Sequence, residues 1–184
     1  DYNTQIYIRN KLTKYEETVS IGELYLKLSN NKLIQNNFQN IVYNDKYEIK
    51  TPTGWFKFDG ISKNFNRESI KLKFNDNTSI ISSPNHLFKN INNKLIRAKD
   101  FVNQNTINKN GKLVTCYDII NLSKKDLFDI VGINNNEHLF YSNDIISHNC
   151  NLAENFFKSV FPTVSASKTA KIIITSTPNG DGNI

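Results

Sequence analysis

The strongest constraint on this chain is a series of short runs in which apolar and polar residues alternate, each broken by turn-forming residues. "TQIYIRN" alternates, and so does "GWFKFDGI" after the turn residues "TPTG". "SIKLKFNDNTSIISS" holds two alternating runs about "NDN", a hairpin signal. "KLVTCYDII", "LFDIVGI" and "HLFYSNDIISHN" follow. A period of two places successive side chains on opposite faces, so each run reads as a half-buried strand. Only "SIGELYLKL" has helical spacing, with Ser20 as its N-cap. The polar tracts "NKLIQNNFQN" and "VNQNTINKN" read as surface loops. An all-β domain is the expectation.

The texture changes after Cys150. "NLAENFFKSVF" carries apolar residues at helical spacing, and "AKIIITSTPNG" is a continuous apolar run that ends in a turn. A helix followed by a buried strand belongs to α/β proteins, and so short a segment cannot bury a core of its own. The expected boundary therefore lies at Asn149/Cys150, dividing residues 1–149 from 150–184. The chain opens at Asp1 and contains no Met, which reads as a piece cut from a longer protein.

Composition narrows the class. No run approaches the roughly 18–20 apolar residues that span a bilayer, and no secretory leader opens the chain. Two cysteines, Cys116 and Cys150, without a C-x-x-C spacing point away from a disulfide framework or a structural zinc site, and toward a reducing cytoplasm. No metal or cofactor is expected. The net charge of +6 arises mostly from scattered Lys. The three Arg (Arg9, Arg67 and Arg97) are far apart, which is weak ground for base readout. Abundant Asn, Lys and Ile are what an AT-rich genome would encode. Cys116, in an alternating apolar strand, and Trp55, with Phe56 and Phe58 close by, read as core residues.

Chemistry concentrates around the three histidines. His86 follows Ser83 by three residues in "SSPNH". His138 lies downstream of Asp129, and His148 precedes Asn149 and Cys150. Imidazole can give and take protons near neutral pH without a large shift. An Asn side chain can attack its own backbone carbonyl, and the thiol of Cys150 stands on the far side of the bond that would break.

In this order the residues resemble the inteins, the self-splicing domains of the Hedgehog/intein (Hint) family. "TSIISSPNHLF" is similar to the family motif of a hydroxyl residue, two others and a His. "LFDIVGINNNEHLFYSNDIISHNC" is similar to its C-terminal motifs. The resemblance covers residues 1–149 and implies a compact mini-intein with a horseshoe-like β fold. The stretch from His86 to Asp129 is too short for a homing endonuclease. It also implies roles: His148 assists attack at the Asn149 carbonyl and His138 moves protons around Asn149. Asp129 positions or deprotonates Cys150, the second nucleophile. His86 and Ser83 activate the upstream junction. That junction's own nucleophile, a Cys or Ser, would lie about two residues before Asp1. The substrate is then the chain's own flanking segments, the exteins.

Residues 150–184 resemble the ATPase domain of phage terminase large subunits, just past the Walker B strand, with "TSTPNG" similar to the motif that links hydrolysis to motion. This implies an intein interrupting a DNA-packaging motor. The spliced host would bind DNA, ATP and the phage portal in the cytoplasm of an infected or prophage-bearing bacterium. The P-loop and the acidic pair are lacking, so this chain alone would not hydrolyse ATP. Two other readings stand beside this one. One is a nucleic-acid-binding or ATPase module. The other is a Hedgehog-type autoprocessing domain with an external nucleophile, against which "HNC" argues.

Overall fold

The structure, a computed structural model, describes residues 1–29, 33–35 and 39–149. Its first compact unit runs over Asp1–Asn151. Residues 150–184, and with them the proposed ATPase segment, lie outside the described residues. The α/β part of the expected fold therefore finds no support, whereas the all-β expectation for the rest is met.

The N-terminal half forms β1 (Gln5–Asn10), β2 (Glu16–Ser20), helix α1 (Ile21–Leu28), β3 (Leu33–Gln35), β4 (Gln39–Tyr43), β5 (Tyr47–Thr51), β6 (Gly54–Lys57) and the long β7 (Gly60–Phe74). After it come β8 (Ser79–Ser82), β9 (Leu87–Lys89), β10 (Leu95–Arg97), a single 3-10 turn at Ala98–Asp100, β11 (Asn105–Ile107), the longer β12 (Leu113–Val131), β13 (Leu139–Ser142) and β14 (Ile145–His148). One sheet runs β10-β9-β14-β13-β1-β5-β6, with β2 also paired to β1. The other runs β11-β12-β7-β4-β3, with β8 also paired to β7. Neighbouring strands are antiparallel throughout.

Alternation in the sequence becomes alternation in burial. Ile6 and Ile8 on β1 and Tyr47, Ile49 and Thr51 on β5 face inward. The helix begins where Ser20 accepts from the Glu23 amide (3.2 Å) and the Glu23 carboxylate accepts from the Ser20 amide (3.3 Å), a reciprocal capping box. Its buried stripe is Ile21, Leu24, Tyr25 and Leu28, one face at helical spacing.

Two apolar cores result. One gathers Ile6, Ile8, Leu24, Ile49, Phe58 and Ile61 with Ile130, Ile133 and Phe140. The other gathers Ile70, Leu72, Phe74, Phe88, Phe101, Val114, Cys116 and Ile145. β7 and β12 run through both, paired from Gly60↔Val131 to Phe74↔Cys116. At Gly60 a Cβ would lie 2.1 Å from the Val42 carbonyl oxygen, so only glycine permits the close β4–β7 contact.

Several strand expectations are corrected. "KLVTCYDII" and "LFDIVGI" are one strand, because the polar "NLSKKD" between them pairs with β7 through an irregular register. "NKLIQNNFQN" and "VNQNTINKN" are not loops throughout: they hold β3, the start of β4, and β11. "GWFKFDGI" breaks after Lys57. Trp55 is half-buried rather than core, with Arg9 and Lys50 each about 5 Å from its ring (5.0 and 5.1 Å). Cys116 is fully buried, as expected. Among the described residues no helix is long and apolar enough to cross a membrane.

Candidate active site

The start of the chain is tied to the body of the domain by hydrogen bonds. The Asp1 nitrogen donates to the Ile81 carbonyl (3.1 Å) and to Thr4 Oγ1 (2.9 Å). Tyr2 lays its ring against Gly22, where a Cβ would lie 2.1 Å from the ring, and meets Phe128 edge-on at 5.9 Å. These contacts seat Asp1 against β8 and the end of β12.

His86 is brought to the same place by a tight turn. Its amide donates to the Ser83 carbonyl (3.1 Å), closing a turn over Ser83-Pro84-Asn85-His86, with Pro at the position that favours its fixed φ. The Ala98 and Lys99 amides, opening the 3-10 turn, donate to the His86 and Pro84 carbonyls (2.7 and 3.0 Å) and pin it. The His86 ring packs edge-on to Phe88 at 5.0 Å. Burial first, then the positive charge at Asp1 and that of His148, lower its pKa to about 4. The ring is neutral at pH 7 and able to accept a proton.

Asp129 stands on β12 beside Asp1. Burial raises its pKa to about 7, against the opposing pull of the Ile130 amide (2.9 Å to Oδ1) and of the Asp1 amino charge. A carboxyl group poised near neutrality can serve as either acid or base. The Asp1 amino group is lowered to about 5, by burial foremost.

β13 and β14 supply the remaining groups. They form a hairpin in register Leu139↔His148 to Ser142↔Ile145, and β14 also pairs with β9, placing His148 opposite Leu87. The turn residues Asn143 and Asp144 have φ of 45° and 66°, the conformation of a tight two-residue hairpin. His138 precedes the hairpin at φ 52°, its amide held by Asn135 Oδ1 (2.6 Å). The His138 and His148 rings lie 6.2 Å apart at 72°. His148 is lowered by burial and by His138, and its Nδ1 is buried without a hydrogen-bond partner among the described residues. Asn149, 2% exposed, donates its amide to the His138 carbonyl (2.8 Å).

The fold thus converges Asp1, His86, Asp129, His138, His148 and Asn149 from four separate stretches of chain. Ser83 enters through its backbone, whose carbonyl accepts from both the His86 amide and the Ser82 hydroxyl (3.1 Å each). Cys150 lies outside the described residues. Among the described residues no group of three or more His, Cys, Asp or Glu is placed to hold a metal ion. Four residues escaped the sequence reading. Thr4 is tied to Asp1, Ser142 and Ser147 share a buried hydroxyl contact behind β14, and Asn143 bridges strands. "ND" between two alternating apolar runs was a legible hairpin signal for the last.

No protein-family model matches the chain, and no curated protein does. Solved structures do. The transcription factor IIB Mvu mini-intein aligns at TM-score 0.67 and 18% identity, over 81% of this chain and 99% of that one. The VidaL intein aligns at 0.62 and 19%, over 79% and 91%. The gp41-1 intein aligns at 0.57 and 22%, over 81% and 96%. The chain has an intein fold. The reading of the chain as an ATPase or nucleic-acid module finds no support in these likenesses.

Proposed function

We propose that residues 1–149 are an autocatalytic protein-splicing domain that acts on its own flanking segments. The observation that carries this reading is the placement of Asn149: buried just past the end of β14, tied to His138, and preceded by His148, whose charge reaches His86 as that of Asp1 does. The intein fold supports it.

In the C-terminal step, the Asn149 side-chain nitrogen attacks its own carbonyl carbon. A C–N bond closes a five-membered succinimide, the peptide C–N bond to Cys150 breaks, and the Cys150 nitrogen departs as an amine. The nitrogen that attacks must lose a proton and the nitrogen that leaves must gain one. The planar amide resists both, so proton transfer has to be supplied. In this reading His148, on a strand paired along both edges, would polarise the carbonyl and deliver the proton, and His138 would relay the proton lost by the carboxamide. Each such transfer contributes on the order of 10²–10⁴ in rate.

At the upstream end, a Cys or Ser about two residues before Asp1 would attack its preceding carbonyl. His86 would take the proton lost by that nucleophile and pass it to the departing nitrogen while Ser83 polarises the peptide. Cys150, deprotonated by Asp129, would take over the acyl group before Asn149 cyclises. In this scheme the flanking segments are exteins of a terminase large subunit, and the ligated product binds DNA, ATP and portal in a bacterial cytoplasm.

The test is intact mass after prolonged incubation of the full chain at neutral pH. Release of the Cys150–Ile184 peptide is expected, with none from Asn149→Ala. A wild-type mass that stays constant would overturn the reading.

A further inference from the structure

Asn143 makes contacts that a simple turn residue would not. Its amide donates to the Gln5 carbonyl (2.9 Å), and its side-chain oxygen accepts from the Gln5 amide (2.6 Å). Its side-chain nitrogen donates to the Ser79 carbonyl (2.7 Å). One carboxamide therefore joins β1 in the eight-stranded sheet to β8 in the six-stranded sheet, from the tip of the β13–β14 hairpin. Each of these strands leads into the site. Gln5 follows Thr4, which holds Asp1. β8 offers Ile81 to Asp1 and runs on to Ser83 and His86. β14 ends at His148.

The pairing of β14 with β9, Ser147↔Phe88 and His148↔Leu87, already joins the His86 segment to the hairpin, but the joint to β1 is thinner. The ladder between β1 and β13 consists of the single pair Ile6↔Ser142. β8 and β1 belong to different sheets. The rest of the turn is clamped as well: the Tyr7 hydroxyl donates to the Asp144 carboxylate, and the Lys109 amide donates to the Asp144 carbonyl (2.9 Å). Those contacts fix the hairpin to β1 and to the loop after β11, but not to β8.

We propose that Asn143 is a positioning residue: its carboxamide sets β8 against β1 and the β13–β14 hairpin, so that the chain start carried by β1 meets the His86 turn carried by β8, which β9 pairs with His148. The inference rests on the splicing reading for its kinetic consequence, and on geometry alone for its structural one. A hydrogen-bonding carboxamide is required at a position with φ 45°. Asn tolerates that conformation, whereas Gly tolerates it without supplying the bonds.

Asn143→Gly in the full chain isolates the carboxamide from the turn. Release of the Cys150–Ile184 peptide, measured at a fixed interval below each variant's Tm, is expected to slow by about tenfold or more, since a displacement of ~1 Å can cost ~10²-fold. Asn44→Ala removes a buried carboxamide outside the site and serves as the stability control, with a rate within about twofold of wild type. Asn143→Asp keeps the acceptor for Gln5 but not the donor to Ser79, and is expected to be slow like glycine. A smaller loss in Asn143→Gly, an equal loss in Asn44→Ala, or a wild-type rate in Asn143→Asp would overturn the inference. If the wild-type chain releases no peptide, the splicing reading fails by itself, and the positioning role is judged from the His86 ring titration by NMR. The low value in wild type should rise toward 6.5 in Asn143→Gly and stay low in Asn44→Ala. An unshifted His86 in Asn143→Gly would reject the role.

Discussion

At the scale of single residues, the site places groups with opposite responses to pH in one buried volume. Asp129 is raised from its ordinary value of 3.8 to about 7, so from about pH 4 to 7 the unfolded chain has lost a proton that the folded chain keeps. Folding stability contributed by this group falls as pH rises through that window. His86 is lowered from 6.5 to about 4. Between about pH 4 and 6.5 the unfolded chain holds a proton that the folded chain lacks, so this contribution rises with pH. The two oppose each other over the same range. Asn at position 129 removes the falling contribution and leaves the rising one. Thermal melts from pH 4.5 to 6.5 should show Asp129→Asn gaining Tm relative to wild type as pH increases. A constant Tm difference across that range would mean that Asp129 is not raised in the folded chain.

At the scale of elements, asparagine does more than decorate loops. Asn10, Asn44, Asn90 and Asn108 each point the side-chain oxygen at backbone amides two to four residues ahead, closing a turn that connects strands. Asn44 is buried and also donates to the carbonyls of Tyr47 (2.8 Å) and Phe58 (3.0 Å). Alanine at this position leaves several buried backbone groups unpaired, each worth about 1–3 kcal/mol. Urea unfolding of Asn44→Ala should show a loss of about 3 kcal/mol at unchanged m. The sequence disclosed the alternating strands, the capped helix and the "NDN" hairpin, because period and turn chemistry are local. It concealed β3, β11 and the middle of β12, where a polar residue such as Lys125 is strand because a partner strand lies alongside, at Arg67. His86, Asp129, His138, His148 and Asn149 were legible as residue types in an order, but not as a site. Their convergence depends on pairings such as Leu87↔His148 and on the seat of Asp1 against Ile81, which no local pattern encodes.

At the scale of the whole molecule, the two cores are joined by the β7–β12 ribbon, and this sets how the domain comes apart. Leu72 and Cys116 lie in one core, Ile61 and Ile130 in the other, yet all four belong to two continuous strands. Loss of one core removes the pairing surface that orders the other. Ile49→Ala in the first core and Leu72→Ala in the second each delete a fully buried aliphatic side chain, at a cost of about 2–5 kcal/mol. Trp55 reports on the half that contains the first core, because it pairs with Lys50 on β5 beside Ile49. The Leu72→Ala lesion is in the other half, so Trp55 fluorescence and far-UV circular dichroism should trace the same urea transition if the ribbon makes the unit cooperative. A dichroism change that precedes the fluorescence change would show the second core melting alone. The site depends on this cooperativity: His86 is carried by the half that holds Phe88, Asp1 and Asp129 abut the half that holds Ile6 and Ile130, and the groups meet only while both are folded.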